Sequence, residues 1–399
     1  MTDEPAQRPT VTLLPGRHKR ALGGHPWIYS NEVQMDAAAK ALPPGGLATL
    51  KSSDRRKLGV ATFNPHTLVA ARLVDRDPSR RIDADFIAAR LMRALEIRQR
   101  LYAEPFYRLV HAEADGLPGV VIDQYDTVLA MQLNTAGAVL LEDALLQALE
   151  TVTQPSAVVL RNDSAGRALE GLASEVRLVR GTLEGGVEAR ENGARFPVDP
   201  MGGQKTGWFY DQRENRRFMA ALSSGARVLD LYCFGGGFAI EAALAGAKEV
   251  IGIDRSESAL ALAERAAQMN GVVQRCQFRR GETFGELQAM LDRGERFEVV
   301  ISDPPAFVRS RKDLGPGLRG YRKLARLAAG VTAPRGYLFL ASCSHNVTPE
   351  DFIESARHGL DDAGRTGRIL LSAGAAPDHP THPSLPESAY LKALVLALD

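Results

Sequence analysis

The sequence predicts an α/β protein whose C-terminal half is a doubly wound, mostly parallel sheet, preceded by a small β-barrel and an α+β segment. From about residue 200, strand-type runs such as "EVIGID" alternate with helix-length runs such as "SALALAERAAQMNG", as in sheets covered by helices on both faces. The first part instead has short strand-type runs separated by turns, as in a barrel. The predicted domains are 1–75, 76–190 and 191–399.

Composition indicates a soluble protein of two or three domains. The chain has 399 residues, of which 45% are hydrophobic and 24% are charged, which is ample for sizeable cores. Three cysteines cannot form a disulfide framework and favour a reducing compartment. The sequence has neither an apolar run long enough to span a membrane nor a signal-peptide pattern at its start. We therefore expect a cytoplasmic protein that is not bound to a membrane.

The net charge of +1 hides an asymmetry along the chain. Residues 1–110 carry 18 Lys and Arg against 11 Asp and Glu, whereas the remainder carries 31 against 37. A basic N-terminal part is typical of a protein that binds an anionic partner such as nucleic acid, although an ordinary solvated surface has the same appearance. Arg17, Lys19 and Arg20 are the candidates for phosphate contact. The nearby Trp27 could stack on a base, but we expect it to lie in the barrel core.

The barrel is followed by "DADFIAARLMRALEIRQRLY", which has the apolar spacing of a helix, with acids at its start and basic residues at its end. The segment after it alternates strands ("GVVIDQY", "TVLAMQL") with a helix ("GAVLLEDALLQALETV"). The His, the two acids and the two glycines of "HAEADGLPG" could line a site. We interpret it as a tight connection between two elements.

The first strand of the C-terminal half runs into a glycine cluster, "DLYCFGGGF". Asp230 lies near the strand end, and Gly235 and Gly237 follow it. Ligands of open α/β sheets bind beyond the carboxyl ends of the strands, where glycines allow close approach of the backbone and leave the next helix N-terminus open. Asp254 ends the second strand, where a carboxylate can accept hydrogen bonds from a ribose diol.

Two cofactor classes fit an acid at each of these strand ends. A nicotinamide dinucleotide would use the same ribose contact, but "GGGF" lacks the G-x-G-x-x-G spacing of that class. Asp230 suits a cation better than a pyrophosphate, which favours S-adenosylmethionine with its sulfonium and amino groups. Glu282, after the third strand, could accept from an adenine amino group; otherwise it is a surface acid. No metal site is predicted.

Two further residues follow the fourth and fifth strands. Asp303 begins "DPP", in which two prolines fix the backbone, and Cys343 lies in "GYLFLASCSH". Cys233 and Cys276 are expected to be packing residues. Cys343 is either another small buried residue or a thiol within reach of a substrate, and the residues alone leave both open.

In the order of these motifs, the chain resembles the class I S-adenosylmethionine-dependent methyltransferases. More narrowly, it resembles the RlmI-type 23S ribosomal RNA cytosine-5 methyltransferases. The resemblance spans nearly the whole chain and rests on "RHKRALGGHPWIYSNEV", "QKTGWFYDQRENRR", "VLDLYCFGGGF", "IGIDRS", "SDPPAFV", "GYRKL" and "SCSH".

The resemblance implies a Rossmann-like methyltransferase domain, an N-terminal PUA-like RNA-binding domain, S-adenosylmethionine as cofactor and 23S ribosomal RNA as partner. It makes Cys343 a nucleophile toward cytosine carbon 6 and Asp303 the acid near N3. The implied cofactor residues are Asp230, Gly235, Gly237, Asp254, Glu282 (where the family more often has Asp), Asp303, Thr206 and Arg213, with Lys205 beside them.

Three alternatives stay open at this point. The enzyme could methylate another base atom, such as a guanine nitrogen, with Cys343 merely structural. The chain could be a nicotinamide-dependent dehydrogenase, or a non-catalytic RNA-binding protein that keeps the fold. The modified nucleotide and the oligomeric state, including a homodimer, are not determined by the sequence.

Overall fold

A computed structural model describes residues 8–183, 185–203 and 206–399. Lys205 and most of the N-terminal stretch used to judge a signal peptide lie outside the described residues. The chain divides into two compact units, residues 1–187 with 199–208 and 378–388, and residues 188–198 with 209–377 and 389–399. The three predicted domain ranges stay a prediction. In the described ranges, no helix combines the length and the apolar character needed to cross a membrane.

The N-terminal segment forms a five-stranded sheet of order β1-β3-β4-β5-β2. Its elements are β1 (Thr10–Thr12), α1 (His18–Leu22), β2 (Trp27–Tyr29), α2 (Ala37–Lys40), β3 (Gly46–Lys51), β4 (Lys57–Phe63) and β5 (Val69–Asp75). β1 pairs with β3 in parallel and the other pairs are antiparallel. Val11, Ile28, Leu50 and Phe63 are buried in one cluster, so alternate apolar residues of these short strands make a small separate core.

A second five-stranded sheet, of order β10-β9-β8-β7-β6, follows in the same compact unit. Its elements are α3 (Ala84–Leu101), β6 (Phe106–His111), β7 (Val120–Tyr125), β8 (Val128–Leu133), α4 (Ala136–Leu140), α5 (Glu142–Thr153), β9 (Ala157–Asn162) and β10 (Glu175–Gly181). The side chain of Asp83 caps α3 by accepting from the Phe86 N–H, which satisfies a free donor of the first turn. "HAEADGLPG" is the connection between β6 and β7, and Asp115 within it pairs with buried Arg98 at 2.7 Å.

The second unit holds a hairpin and a seven-stranded sheet of order β15-β14-β13-β16-β17-β19-β18. Its elements are β11 (Val187–Glu191), β12 (Ala194–Val198), α6 (Arg213–Ala221), β13 (Arg227–Leu231), α7 (Gly237–Leu244), β14 (Glu249–Asp254), α8 (Glu257–Met269), β15 (Cys276–Arg280), α9 (Thr283–Asp292), β16 (Phe297–Ser302), α10 (Leu314–Val331), β17 (Thr332–Ser342), α11 (Pro349–Asp362), β18 (Gly367–Ala373) and β19 (Lys392–Leu398).

The predicted doubly wound, mostly parallel sheet is confirmed. β13 to β17 pair in parallel, and only β19 runs antiparallel to its neighbours β17 and β18. The strand order reverses at β13, which has β14 on one side and β16 on the other. Carboxyl ends of parallel strands lie at one edge, and ligands bind where the order reverses. The polar residues that follow β13, β14, β16 and β17 therefore meet at that edge.

Candidate active site

The loop between β13 and α7 has an unusual backbone. Tyr232 and Phe234 have φ angles of 61° and 48°, and Gly236 has a φ of 79°. The left-handed region costs a non-glycine residue free energy, and such residues are concentrated at ligand sites. Gly237 is required sterically, because a Cβ there would lie 2.5 Å from the Arg216 Nε atom. Gly235 is buried in the same loop.

Asp230 lies beneath this loop and is only 1% exposed. One carboxylate oxygen accepts a hydrogen bond from the Ala239 N–H at 3.0 Å, in the first turn of α7. The pKa of Asp230 is raised to about 8, chiefly by burial and also by the Asp303 and Asp254 carboxylates, while the hydrogen bond from Ala239 and the charge of Arg216 act in the opposite direction. A buried carboxyl among other acids is a site that a cation would stabilise.

Asp254, the last residue of β14, is held in place by two backbone donors. Its carboxylate accepts from the Phe234 N–H at 3.0 Å and from the Ser256 N–H at 2.9 Å. Each oxygen has a second lone pair, so the half-buried carboxylate can still accept hydrogen bonds from a diol. The glycine loop and the second acid are thereby fixed to each other.

Glu282 lies at the same sheet edge, after β15. It is exposed, and its carboxylate caps α9 by accepting from the Gly285 N–H at 2.9 Å. Next to it, the Tyr232 hydroxyl hydrogen-bonds Thr283, and burial raises the pKa of Tyr232 to about 12. Tyr232 thus ties the strained loop to the start of α9.

Thr206 and Arg213 belong to different compact units. Thr206 is buried in the first unit, where its hydroxyl donates to Asp123, the ion-pair partner of Arg108 at 2.8 Å. Arg213 begins α6 in the second unit, with its Nε atom 3.5 Å from a Glu191 oxygen and its guanidinium 5.0 Å from the Tyr210 ring centre. Both side chains are buried and both make contacts within their own unit.

Asp303 and Cys343 directly follow the adjacent parallel strands β16 and β17. Both are half-buried. The Cys343 sulfur lies 3.9 Å from the carbonyl oxygen of Pro304, the residue after Asp303. The structure therefore brings the thiol to the "DPP" loop, at the edge that also carries Asp230 and Asp254. Cys233, by contrast, is buried, as expected for a packing residue, and Cys276 is half-buried.

A hydroxyl cluster fixes the backbone on both sides of Cys343. The Ser342 hydroxyl donates to the Tyr321 hydroxyl at 2.8 Å, and the Ser344 hydroxyl lies 2.9 Å from the same oxygen. Ser344 also accepts from the Val308 N–H at 3.2 Å. Burial raises the pKa of Tyr321, which keeps it a neutral donor. Both serines are fully buried, and they hold the backbone on either side of the half-buried Cys343.

Sequence reasoning missed Lys392, the first residue of β19. Lys392 pairs with Ser342 across the antiparallel strands, and its Nζ atom donates to the Ser344 carbonyl at 2.6 Å and to the Tyr390 carbonyl at 2.8 Å. Burial lowers the pKa of Lys392, and the nearby Cys343 charge raises it. The available signal was a lone charge in the apolar strand "YLKALVLALD".

The residues of the N-terminal basic cluster are all exposed but differ in their local contacts. Arg17 precedes α1, and Lys19 and Arg20 lie on it. Arg20 is engaged locally: it donates to the Trp27 carbonyl at 3.2 Å, lies 3.6 Å from Glu32 and packs over the Tyr29 ring. The expectation that Trp27 lies in the core was wrong. It is half-buried, and its indole N–H donates to Glu113 at 2.7 Å.

Comparison with known proteins matches two segments of the chain to known families. Residues 144–396 match the model of the S-adenosylmethionine-dependent methyltransferases, and residues 11–76 match a PUA-like domain. Ribosomal RNA large subunit methyltransferase I from Aeromonas salmonicida is 36% identical over 97% of this chain and 98% of its own length. The protein of that name from Aeromonas hydrophila is 35% identical over 97% of this chain and 98% of its own.

Two solved structures share the fold across the whole chain. One, from Streptococcus mutans and described as a SAM-dependent methyltransferase, superposes with a TM-score of 0.82, 18% identity and coverage of 98% of this chain and 100% of that one. The other, described as a methyltransferase complexed with SAH, has a TM-score of 0.83, 18% identity and coverage of 98% and 99%. At this identity the likeness concerns the fold.

Proposed function

The chain belongs to the S-adenosylmethionine-dependent methyltransferases related to ribosomal RNA large subunit methyltransferase I, and we propose that it methylates carbon 5 of a cytosine in 23S ribosomal RNA. Membership of this family decides between the two cofactor classes in favour of S-adenosylmethionine. The cytosine atom and the covalent route belong to the proposal. The observation that supports them is the Cys343 sulfur 3.9 Å from the Pro304 carbonyl, beside Asp303.

The residues of the cofactor edge fit S-adenosylmethionine. Asp230 is a buried carboxyl that lies among other acids, and we assign it to the cationic end of the cofactor. Gly237 begins α7, and a Cβ there would meet Arg216. We assign Gly237 and Gly235, which lies before it in the loop, to the backbone contact with the cofactor. Asp254 accepts from the ribose, Glu282 from the adenine amino group, and Thr206 and Arg213 support the segment that precedes the sheet. When bound, the cofactor supplies an electrophilic methyl group on its sulfonium.

Carbon 5 of cytosine is a weak nucleophile, and a thiol next to the ring overcomes this. The Cys343 thiolate adds to carbon 6, so that the electrons of the 5,6 double bond become available at carbon 5. Asp303 donates a hydrogen bond at N3 and stabilises the charge that forms on the ring. After carbon 5 has gained the methyl group, it loses its proton to a base, and the same electron pair expels the Cys343 thiolate.

The RNA partner is assigned from the relatives' name and from the basic N-terminal segment. We propose that Arg17, Lys19 and Arg20 contact phosphates, since all three are exposed, and that Arg20 also supports the fold around Trp27. Phosphate contacts position an RNA without reading its sequence. We place the reaction in the cytoplasm, where ribosomal RNA would be the substrate.

Cys343→Ala tests the covalent route. We expect it to abolish release of tritium from RNA containing [5-³H]cytosine, because no adduct forms, and to leave the affinity for SAH within about twofold, because Cys343 is outside the cofactor loop. Cys276→Ala, a cysteine on β15, is the matched control and should retain wild-type release. Methylation by Cys343→Ala would refute the route, and a methylated guanine in the nucleoside analysis of the wild-type product would refute the choice of base.

A further inference from the structure

Lys392 is a charged residue in an otherwise apolar strand. It is 8% exposed, whereas the residues after it in β19, Ala393 to Leu396, are 1% to 4% exposed. The antiparallel pairing of β19 with β17 sets it opposite Ser342, next to Cys343. A buried ammonium is costly unless it has hydrogen bonds and a negative partner.

The hydrogen bonds of Lys392 offset only part of the cost of burying its charge. Two of its three N–H groups donate to the carbonyls of Ser344 and Tyr390. Within the described part of the chain, the third N–H has no acceptor and no carboxylate lies within ion-pair distance of Nζ. The acidic group that acts on Lys392 electrostatically is the Cys343 thiol, whose charge raises the pKa of the lysine.

We propose that Lys392 is the counterion that holds Cys343 as a thiolate before the RNA binds, an inference that rests on the proposed role of Cys343 as nucleophile. The thiol gives its proton to solvent, and Lys392 keeps its three hydrogens throughout. When the product leaves, the sulfur departs from carbon 6 as the anion and finds the same ammonium. Lys392 is thus a positioning residue that acts through Cys343 and does not touch the base.

The other ionisable groups on the elements around Cys343 differ from Lys392 in charge or in burial. Tyr321, on α10, is neutral because burial raises its pKa. Asp303, on the loop after β16, is a carboxyl group and supplies no positive charge in either protonation state. His345, two residues after Cys343, is exposed and packs 5.5 Å from the Tyr390 ring. Lys392, on β19, is the cation that the sheet places at the thiol.

A purely structural lysine would behave differently. If its function were only to tie the Ser344 and Tyr390 carbonyls together, its removal would lower stability and leave the acidity of Cys343 unchanged. If it is the counterion, the acidity of the thiol depends on its charge. The reactivity of the sulfur as a function of pH separates these roles without RNA or methyl transfer, because only the thiolate is nucleophilic.

The experiment measures alkylation of the full chain by iodoacetamide from pH 5 to 10, with each cysteine resolved by peptide mass spectrometry. We expect the Cys343 midpoint of the wild type to lie at least one pH unit below about 8.5, the value for a free cysteine. Lys392→Met, which keeps the aliphatic stem, should raise the midpoint by about one pH unit or more, so that labelling at pH 7 slows about tenfold. Lys392→Arg should retain the low midpoint.

Cys276 is the internal control in every sample. It is half-buried, and burial raises its pKa to about 12, so faster labelling at Cys276 would report a loosened fold. An equal Cys343 midpoint in Lys392→Met and wild type would overturn the proposal. If Lys392→Met does not fold, a wild-type midpoint at or above about 8.5 overturns it by itself, and a lower one supports it.

The outcome is distinguishable from failure of the proposed function. If Cys343→Ala still methylates RNA, Cys343 is not the nucleophile. A low midpoint of the wild-type Cys343 thiol, and its dependence on Lys392, would remain valid. If Lys392→Met and wild type have the same Cys343 midpoint while the wild type releases tritium, Lys392 is not the counterion. The covalent route would then still be supported.

Discussion

Binding of S-adenosylmethionine should expel a proton from Asp230. Without a ligand, burial and the neighbouring acids raise the pKa of this carboxyl to about 8, so at pH 6.5 it is almost fully protonated. A cationic ligand favours the ionised form. At this pH the cofactor amino group, as an α-amino group of pKa about 7.7–8.0, is itself already largely protonated. We therefore expect binding at pH 6.5 to release about one proton, and binding at pH 9 to release few from Asp230.

Isothermal titration calorimetry in buffers of different ionisation enthalpy measures the number of protons released on binding. This number is the slope of the observed binding enthalpy plotted against the ionisation enthalpy of the buffer. The same linkage requires the affinity to weaken as pH falls below 8, by up to about tenfold per pH unit. Asp230→Asn should bind more weakly and release no proton. Asp254→Asn is the matched control, because it removes a ribose contact and leaves Asp230 to titrate.

A buffer-independent enthalpy at pH 6.5 in the wild type would refute this reasoning. It would mean either that Asp230 is already ionised in the free protein or that it stays protonated beneath the bound cofactor. Proton release that persists in Asp230→Asn would assign the proton to a different group. Both results would remove Asp230 as the partner of the cationic end.

Three further predictions concern the basic N-terminal residues, the Tyr321 hydroxyl and the stability of the ligand-free protein. Replacing Arg17 and Lys19 with Ala should reduce the slope of log affinity for RNA against log salt by about 1.4 to 1.8; an unchanged slope would count against that surface. Tyr321→Phe removes the hydroxyl shared by Ser342 and Ser344 and should cost about 1–3 kcal/mol of unfolding free energy, measured by urea denaturation, with slower methyl transfer at unchanged SAH affinity. Asp230→Asn should also change the pH dependence of stability of the ligand-free protein. Because the folded-state pKa of Asp230 is raised to about 8, this group makes a contribution to stability that is lost as pH rises from about 4 to 8. The unfolding free energy of the Asn variant, measured against pH by urea denaturation, should lack that contribution.

The alternation of strands and helices, and the placement of the site residues along it, were predictable from the sequence. Apolar periodicity is a local property, so the strands β13, β14 and β16 could be located from short windows. The rule that carboxyl ends of parallel strands share an edge then brings Asp230, Asp254, Asp303 and Cys343 together. The structure places these residues at that edge, with the thiol beside the "DPP" loop.

Contacts between distant segments could not be predicted in this way. Thr206 is adjacent in sequence to the methyltransferase sheet, yet its hydroxyl is bound to Asp123 of the first compact unit. Arg20 stays a predicted phosphate ligand, and its exposed guanidinium also contacts Glu32 and the Trp27 carbonyl. In each case the packing of the folded chain determines the partner, and the local sequence does not predict it.

The sequence by itself determined which chemical groups stand at the strand ends, since the length and period of each apolar run decide where a strand ends. Only the tertiary structure decided what surrounds them. β19 returns antiparallel to β17 and brings Lys392 opposite Ser342, so a buried ammonium lies by the cysteine. The register between two strands far apart in the chain is set by the whole core, because a shift of one residue would turn every side chain of β19 to the other face.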